Sequence, residues 1–345
     1  MALQYKDLLT LMKVTAKADI KAPIAYSFND ENFSYTELND LVRDELNALA
    51  CDYKTYRKNK DLIFELMEST IDEVLPRRVM EQYSMFAEIR QFKQGQKPIF
   101  TQRITTAARR RARQFIGKVG IAGRYEIFKL DGKSYEVTTN AVGGAAQIAF
   151  EEFLDGRVNM ADVLDIVLEG LDSCVYVEIE RQLKGAVSTV QAANKETQTS
   201  FDEAAMDGLI SIAGSYGRPV IYCTFEFAAT MVPSDGWVSN EMKNAKWDNG
   251  YLANYKGNQV IVLPQSYEDE TNEVKVIDPR YAWIIPTGSG NEKPVKIAFE
   301  GETIVEDYKN RGDRSMEVQI YKKMGVVAIF TPNICVYENT SLTRV

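Results

Sequence analysis

The stretch that decides the fold is "TTAARRRARQFIGKVGIAGRYEIFKLDGKSYEV", residues 105–137. Two segments near its end, "RYEIFKL" and "KSYEVTT", alternate in side-chain character and are rich in aromatic and β-branched residues, which is typical of strands. They meet at Asp131-Gly132, a dipeptide that favours a two-residue hairpin turn. Both faces mix apolar with charged residues, and two strands alone are only marginally stable in water. We therefore predict a hairpin that is covered either within its own domain or by a neighbour.

The charge of this region is opposite to that of the rest of the chain. The 345 residues include 41 Lys and Arg against 49 Asp and Glu, which gives a net charge of −8. Residues 89–125 hold ten of the positive charges and no negative one, so the remainder has 31 against 49, a net charge of −18. A molecule with this distribution attracts a copy of itself head to tail, or a polyanion.

The positive charge is most concentrated in Arg109, Arg110, Arg111 and Arg113. Two interpretations stay open. The cluster could bind phosphate backbones with release of counterions, or it could pair with carboxylates of this chain or of another copy. No recognisable nucleic-acid reader module accompanies it, which favours the second interpretation.

The composition predicts a globular protein of two or three compact units. Hydrophobic residues make up 45% of the chain, and no apolar run approaches the ~18 residues that a membrane helix needs. The N-terminus, "MALQYKDLLTLMKVTAKADIK", is interrupted by Lys and Asp and does not resemble a signal peptide. The four cysteines form no CxxC pair, which indicates thiols in a reducing compartment. We expect a soluble protein that is made inside the cell and has no membrane partner.

The chain contains no histidine, and this lowers the expectation of enzyme activity. Ser-His-Asp and Cys-His arrangements are excluded, and most zinc and non-haem iron sites lose a usual ligand. No pair of carboxylates lies at helical spacing on an apolar face. We therefore predict no catalytic residue, no metal site, no cofactor and no enzyme activity.

The first part of the chain, residues 1–85, has a helical pattern. Ser34 and Thr36 are candidate caps, and Pro76 is expected to interrupt the second long helix. The longest helical pattern is expected to begin at Asn159 and to run to about Lys184, with an apolar stripe on one face.

The rest of the chain mixes helices and strands. A polar linker, "STVQAANKETQTS", precedes a helix for which Ser200 and Glu203 are expected to form a capping box. Strands are predicted in "RPVIYCTF", "GYLANYKGNQVIVLP", "AWIIPTG", "VKIAFEG" and "SMEVQIYKKMGVVAIF", and a brief helix in "EFAATMVP". The order of these elements predicts the α+β class.

This organisation resembles the major capsid protein of tailed bacteriophages with the Hong Kong 97-type fold. The sequence "RQFIGKVGIAGRYEIFKLDGKSYEVTTNAVGGAAQIAFEEFLDG" is similar to the extended loop of that family and its exit. "GSYGRPVIYCTFEFAATM" and "YKGNQVIVLP" are similar to parts of its axial domain, and "RSMEVQIYKKMGVVAIF" to the closing strand of its peripheral domain. The order of the pieces, rather than one motif, carries the resemblance.

The resemblance implies five segments and a structural role. They are a helical N-terminal region (1–90), a basic segment with an extended hairpin loop (91–147), a peripheral domain with a long spine helix (148–199), an inserted axial domain (200–302) and a return to the peripheral domain (303–345). Subunits of this family form hexamers and pentamers of an icosahedral head that encloses double-stranded DNA.

The resemblance also implies partners and contact residues. The main partner is the chain itself; scaffolding, portal and decoration proteins are further partners that it admits, and packaged DNA is contacted non-specifically. Assembly takes place in the bacterial host cytoplasm. The expected intersubunit contacts are made by Arg109, Arg110, Arg111, Arg113, Arg124, Tyr125, Ile127, Phe128, Leu130 and Tyr135.

Three alternatives stay open. An encapsulin-like nanocompartment shares the fold but encloses cargo enzymes. A nucleic-acid-binding protein would use the cluster Arg109–Arg113 and show an affinity that falls steeply with salt. An enzyme is the weakest alternative, because the sequence offers no constellation of residues for catalysis.

Overall fold

The computed structural model describes residues 5–17, 26–28, 31–49, 53–102, 133–148, 160–232, 239–268, 271–287, 293–309, 316–329 and 333–344. The chain divides into two compact units. The first contains residues 1–98, 137–176 and 297–326, and the second contains residues 99–136, 177–296 and 327–345. The structure is a mixture of helices and strands, as the sequence predicts.

Three helices form the N-terminal part of the first unit: α1 (Tyr5–Lys17), α2 (Tyr35–Leu49) and α3 (Tyr53–Tyr83). Of the two predicted caps, Ser34 is the one that acts. Its N–H donates to Glu37 Oε2 at 2.8 Å, and the Glu37 N–H donates to Ser34 Oγ at 3.4 Å, which is a capping box. A hairpin of β1 (Tyr26–Phe28) and β2 (Glu31–Phe33), which the sequence did not predict, precedes α2.

The predicted interruption at Pro76 is wrong. Helix α3 continues through this residue to Tyr83. A proline costs about 3 kcal/mol inside a helix, but Pro76 is buried, and Val74, Leu75 and Val79 beside it are at most 1% exposed. Burial of one such aliphatic side chain contributes about 1.5–3 kcal/mol. Tertiary packing therefore outweighs the local cost.

A four-stranded sheet completes the first unit. Its strands are ordered β3 (Ala87–Phe92), β12 (Val295–Lys309), β13 (Met316–Ala328) and β6 (Asn140–Ile148). β6 and β13 are antiparallel, with Asn140 opposite Met324 and Ile148 opposite Met316. A side chain at Gly143 would place its Cβ 2.1 Å from the Ile320 carbonyl oxygen, so this close approach of two strands requires glycine.

The predicted spine helix is α4 (Met160–Ala186), a helix of 27 residues. Leu171, Val175 and Ile179 of the predicted stripe are buried, and Leu168 and Leu183 extend it. The expectation that this helix is the longest is wrong, because α3 has 31 residues.

The second unit is built on a six-stranded sheet. Its order is β7 (Lys195–Gln198), β14 (Cys335–Asn339), β11 (Tyr281–Thr287), β8 (Arg218–Cys223), β10 (Asn258–Val262) and β9 (Asn254–Tyr255). The β7–β14 and β8–β10 pairs are parallel, and the others are antiparallel. Helices α5 (Glu203–Gly214), α6 (Phe225–Thr230) and α7 (Asn240–Asn249) accompany it. The core includes Met206, Leu209, Phe227, Ile284 and Tyr337.

Two expectations about this unit are wrong. The cap of α5 is Asp202 rather than Ser200, because the Asp202 side chain accepts hydrogen bonds from the N–H groups of Ala204 and Ala205. The polar segment predicted as a linker contains strand β7, which pairs in parallel with β14 about 140 residues later in the chain. Pairing with β14, rather than the local sequence, therefore accounts for the formation of this strand.

Both units contain residues from the C-terminal segment. Residues 297–326 belong to the first unit and residues 327–345 to the second. Among the described helices, none is both long enough and apolar enough to cross a membrane.

Candidate assembly surfaces

Only one of the ten predicted contact residues, Tyr135, lies in the described part of the chain. The basic residues Arg109, Arg110, Arg111, Arg113 and Arg124 lie outside it, as do Tyr125, Ile127, Phe128 and Leu130. The first predicted strand and the Asp131-Gly132 turn also lie outside the described residues. The structure therefore defines where this loop is attached.

The loop is attached through a pair of antiparallel strands, β4 (Ile99–Gln102) and β5 (Lys133–Glu136). Gln102 faces Lys133, so the chain leaves and returns at adjacent points, and residues 103–132 connect them. Phe100 faces Tyr135 in this pair and is 2% exposed, while Tyr135 is half-buried. The Lys296 ammonium lies 6.0 Å from the centroid of the Phe100 ring. The base of the loop is thus fixed within the chain by a buried aromatic residue.

An acidic cavity lies in the first unit. It has a volume of about 570 Å³. Eight residues line it, of which five are carboxylates and none is a cation. They are Glu65, Glu68, Ser69, Asp72, Glu73, Gln91, Glu302 and Thr303. We call this set the acidic cavity. Helix α3 supplies Glu65, Glu68 and Asp72 at a spacing that brings them to one helix face.

Two carboxylates of the acidic cavity attach α3 to the edge of β12. The Thr303 N–H donates to Asp72 Oδ1 at 2.9 Å, and the Val305 N–H donates to Glu68 Oε1 at 2.8 Å. These contacts satisfy backbone groups that would otherwise lack a partner on the strand.

The acidic cavity keeps a surplus of negative charge. Lys322 pairs with Asp72, and Lys13 pairs with Glu73 at 2.5 Å, so two of the five carboxylates have a cation among the described residues. Burial raises the pKa of Glu68; the hydrogen bond from Val305 opposes this, and the nearby carboxylates add to it. Within the described residues, no group of three ligating side chains is close enough to hold a metal ion. The surplus charge suits a cationic segment of a macromolecule.

Several large apolar side chains are exposed. Trp247 on α7 is 90% exposed, although this helix is capped at both ends, by Ser239 and by the left-handed Gly250. Others are Ile166 at 69%, Met85 at 50%, Met80 and Tyr308 at 49%, and Phe225 at 48%. Trp283, in contrast, is 1% exposed and belongs to the core. Large exposed aromatic residues on ordered helices are typical of interaction surfaces.

Within the described residues, the candidate functional features are therefore surfaces suited to contact with other macromolecules. The sequence model of one family, described as "SPbeta prophage-derived putative capsid protein YonB", matches residues 8–337. The chain belongs to this family. No curated protein matches it.

Several solved structures are similar to this chain. They include a virus-like particle protein from Pyrococcus furiosus (14% identity, 80% of this chain and 99% of that chain, TM-score 0.43). The head protein of Helicobacter pylori bacteriophage KHP40 has 12% identity over 75% of this chain and 90% of its own, with a TM-score of 0.48. The SrpI encapsulin of Synechococcus elongatus PCC 7942 has 9% identity over 76% and 89%, with a TM-score of 0.45. Because these TM-scores are below 0.5, the identification rests on the family model.

The predicted resemblance to bacteriophage capsid proteins is confirmed by this family. The protein is a structural capsid protein and a part of the virion. The surfaces described above are therefore candidates for contacts between copies of the chain.

Proposed function

We propose that the chain is the major subunit of a phage head, which assembles as hexamers and pentamers into an icosahedral shell of the Hong Kong 97 type around double-stranded DNA. Assembly takes place in the host cytoplasm. The observation that carries this proposal is the family match over residues 8–337. The order of the elements agrees with it: a helical region, a loop held at both ends by β4 and β5, the long helix α4, and then the largest segment of the second unit, residues 177–296.

The loop between β4 and β5 is the proposed arm that covers a neighbouring copy. Its apolar residues Tyr125, Ile127, Phe128 and Leu130, together with Tyr135, would supply the buried area that stabilises the contact. The basic residues Arg109, Arg110, Arg111, Arg113 and Arg124 would meet acidic surface on that copy and so set register and partner choice. The acidic cavity supports this proposal, because it carries three carboxylates in excess of its paired lysines.

The domain boundaries and the partners follow from the same proposal. We assign residues 91–147 to the basic segment and loop, 148–199 to the domain of the spine helix, and 200–302 to the axial domain. Scaffolding, portal and decoration proteins would bind the assembled shell, and DNA would be contacted without sequence preference.

The test of the proposal is charge reversal at Arg109, Arg110 and Arg111 to Glu. We expect this variant to fold with the wild-type unfolding midpoint and to form no closed shell, as seen by light scattering and negative-stain electron microscopy. A matched control reverses Lys54, Arg57 and Lys58, three exposed cations on α3, with the same change in net charge. This control should assemble.

A second pair of substitutions tests whether the acidic cavity is the surface that the arginine cluster contacts. Glu65→Lys and Glu302→Lys place two cations in the acidic cavity, and we expect them to restore assembly of the arginine variant. Normal shells from the arginine variant alone would refute the role of the cluster. Loss of assembly without rescue, together with DNA affinity that falls steeply with salt in the wild type only, would assign the cluster to nucleic acid instead.

A further inference from the structure

Two carboxylates lie buried together in the second unit. Glu180 is on the C-terminal half of α4 and is 6% exposed; Asp278 precedes β11 and is fully buried. The Asp278 N–H donates to Glu180 Oε1 at 3.0 Å, so the two residues are in direct contact. Buried acidic side chains are uncommon unless each has a cation or another partner.

The available cations are distributed unequally between the two carboxylates. Arg280 donates to Asp278 through Nε at 2.9 Å and through Nη2 at 2.6 Å. Lys184 Nζ lies 3.1 Å from Asp278 Oδ2. Asp278 thus has two cations and is held in its ionised form.

Glu180 has a different environment. Its Oε1 accepts one backbone hydrogen bond, while its Oε2 is buried and has no hydrogen-bond partner among the described residues. A carboxylate oxygen that is removed from water and left unpaired is costly when it is charged. A proton on Oε2 removes the charge and the repulsion from Asp278.

We propose that Glu180 is a proton-binding site, and that the C-terminal half of α4 packs more firmly on residues 276–280 when the proton is bound. The charged groups that face Glu180 come from three segments: Lys184 on the same helix, Asp278 before β11, and Arg344 near the C-terminus. Arg344 Nε donates to the Lys275 carbonyl oxygen at 2.8 Å, and its guanidinium also pairs with Glu268. Both cations near Glu180 are therefore engaged elsewhere.

The pKa values agree with this geometry. Burial raises the pKa of Glu180 to about 7 and outweighs the hydrogen bond from the Asp278 N–H, which lowers it; the charge of Asp278 raises the pKa further, and Lys184 and Arg344 lower it. Burial acts to raise the pKa of Asp278, but hydrogen bonds from Arg280 and Lys184 lower it to about 2. The difference between about 7 and the ordinary 4.5 corresponds to proton binding that is roughly 300-fold tighter in the folded chain.

The direction of the pH effect follows from this difference. Between about pH 4.5 and 7 the folded chain holds the proton and the unfolded chain does not, so stability falls as pH rises through this interval and then levels off. Because the chain has no histidine, few other side chains titrate in this interval; Glu68, whose pKa is also raised by burial, is one of them. The proposal concerns the single folded chain and does not depend on shell formation.

The experiment measures the thermal unfolding midpoint of the full, unassembled chain from pH 5 to 8.5. For the wild type we expect the midpoint to fall by several degrees between pH 5 and 7.5. Glu180→Gln should lose this dependence and unfold at a higher temperature than the wild type at pH 8. The matched control is Glu178→Gln on the same helix turn; its side chain is 31% exposed and pairs with Arg181, so this variant should keep the wild-type profile.

A second measurement does not depend on a variant. The ¹³C chemical shift of the Glu180 carboxyl group in the wild-type chain should titrate with a midpoint near pH 7. A midpoint below pH 5, or a Glu180→Gln profile that matches the wild type, would overturn the proposal.

Discussion

The ion pair between Asp72 on α3 and Lys322 on β13 leads to a specific prediction about the free energy of unfolding. The Lys322 side chain is 4% exposed, and its ammonium contacts the Asp72 carboxylate. The same ammonium lies 3.4 Å from Thr303 Oγ1 and 5.8 Å from the centroid of the Phe299 ring. Asp72 also accepts hydrogen bonds from the Thr303 N–H at 2.9 Å and from its hydroxyl at 2.5 Å. One carboxylate thus stabilises a buried cation and a strand-edge N–H.

Removal of the two partners should have unequal effects. Asp72→Ala leaves a buried ammonium without its carboxylate, which costs about 3–5 kcal/mol. Lys322→Met removes the buried charge and keeps most of the packing volume, and Asp72 is 27% exposed and can be solvated. We expect that variant to cost less than about 1.5 kcal/mol. The double variant should be more stable than Asp72→Ala alone, because the uncompensated charge is gone.

The assay is urea unfolding of the unassembled chain, with the slope of the transition checked for each variant. The control is Glu73→Ala. Glu73 follows Asp72 and pairs with Lys13, but its side chain is 44% exposed, so the loss should stay below about 1 kcal/mol. The reasoning is refuted if Asp72→Ala costs no more than Lys322→Met, or if the double variant equals the sum of the single ones.

Two further predictions concern single positions. Gly143→Ala should lower the thermal unfolding midpoint strongly, because the new Cβ would overlap the Ile320 carbonyl oxygen. Gly144→Ala should change the midpoint little, because no atom lies within 4 Å of its new Cβ. Equal shifts for the two variants would contradict the β6–β13 register. Asp202→Ala should cost about 1 kcal/mol through loss of the α5 cap, and Ser200→Ala less, as measured by chemical unfolding; the reverse order would restore the cap to Ser200.

Local patterns predicted the elements that depend on local chemistry. The candidate cap at Ser34, the apolar stripe of α4 and the alternation in β13 were all visible in the sequence, and each element is present. The wrong predictions concern elements whose structure depends on residues that are distant in the sequence. Pro76 stays helical because its neighbours are buried, and β7 forms because β14 pairs with it.

The candidate surfaces show the same limit. The basic segment could be recognised from composition alone, since it carries ten cations and no acid. The acidic cavity was not predicted, although the spacing of Glu65, Glu68 and Asp72 on one helix face was a signal. The missing information was the position of β12, which contributes Glu302 and Thr303 from more than 200 residues away in the chain. Sequence patterns reveal one side of such a surface but not the element that lies opposite it.

The central claim, that this chain forms a shell by contact with copies of itself, is tested most directly by its assembly state. The measurement is light scattering of the purified full chain across low and high salt, with negative-stain electron microscopy of the same samples. The account predicts closed particles tens of nanometres across, or rings of five and six subunits. A single species of 39.0 kDa under every condition would contradict it.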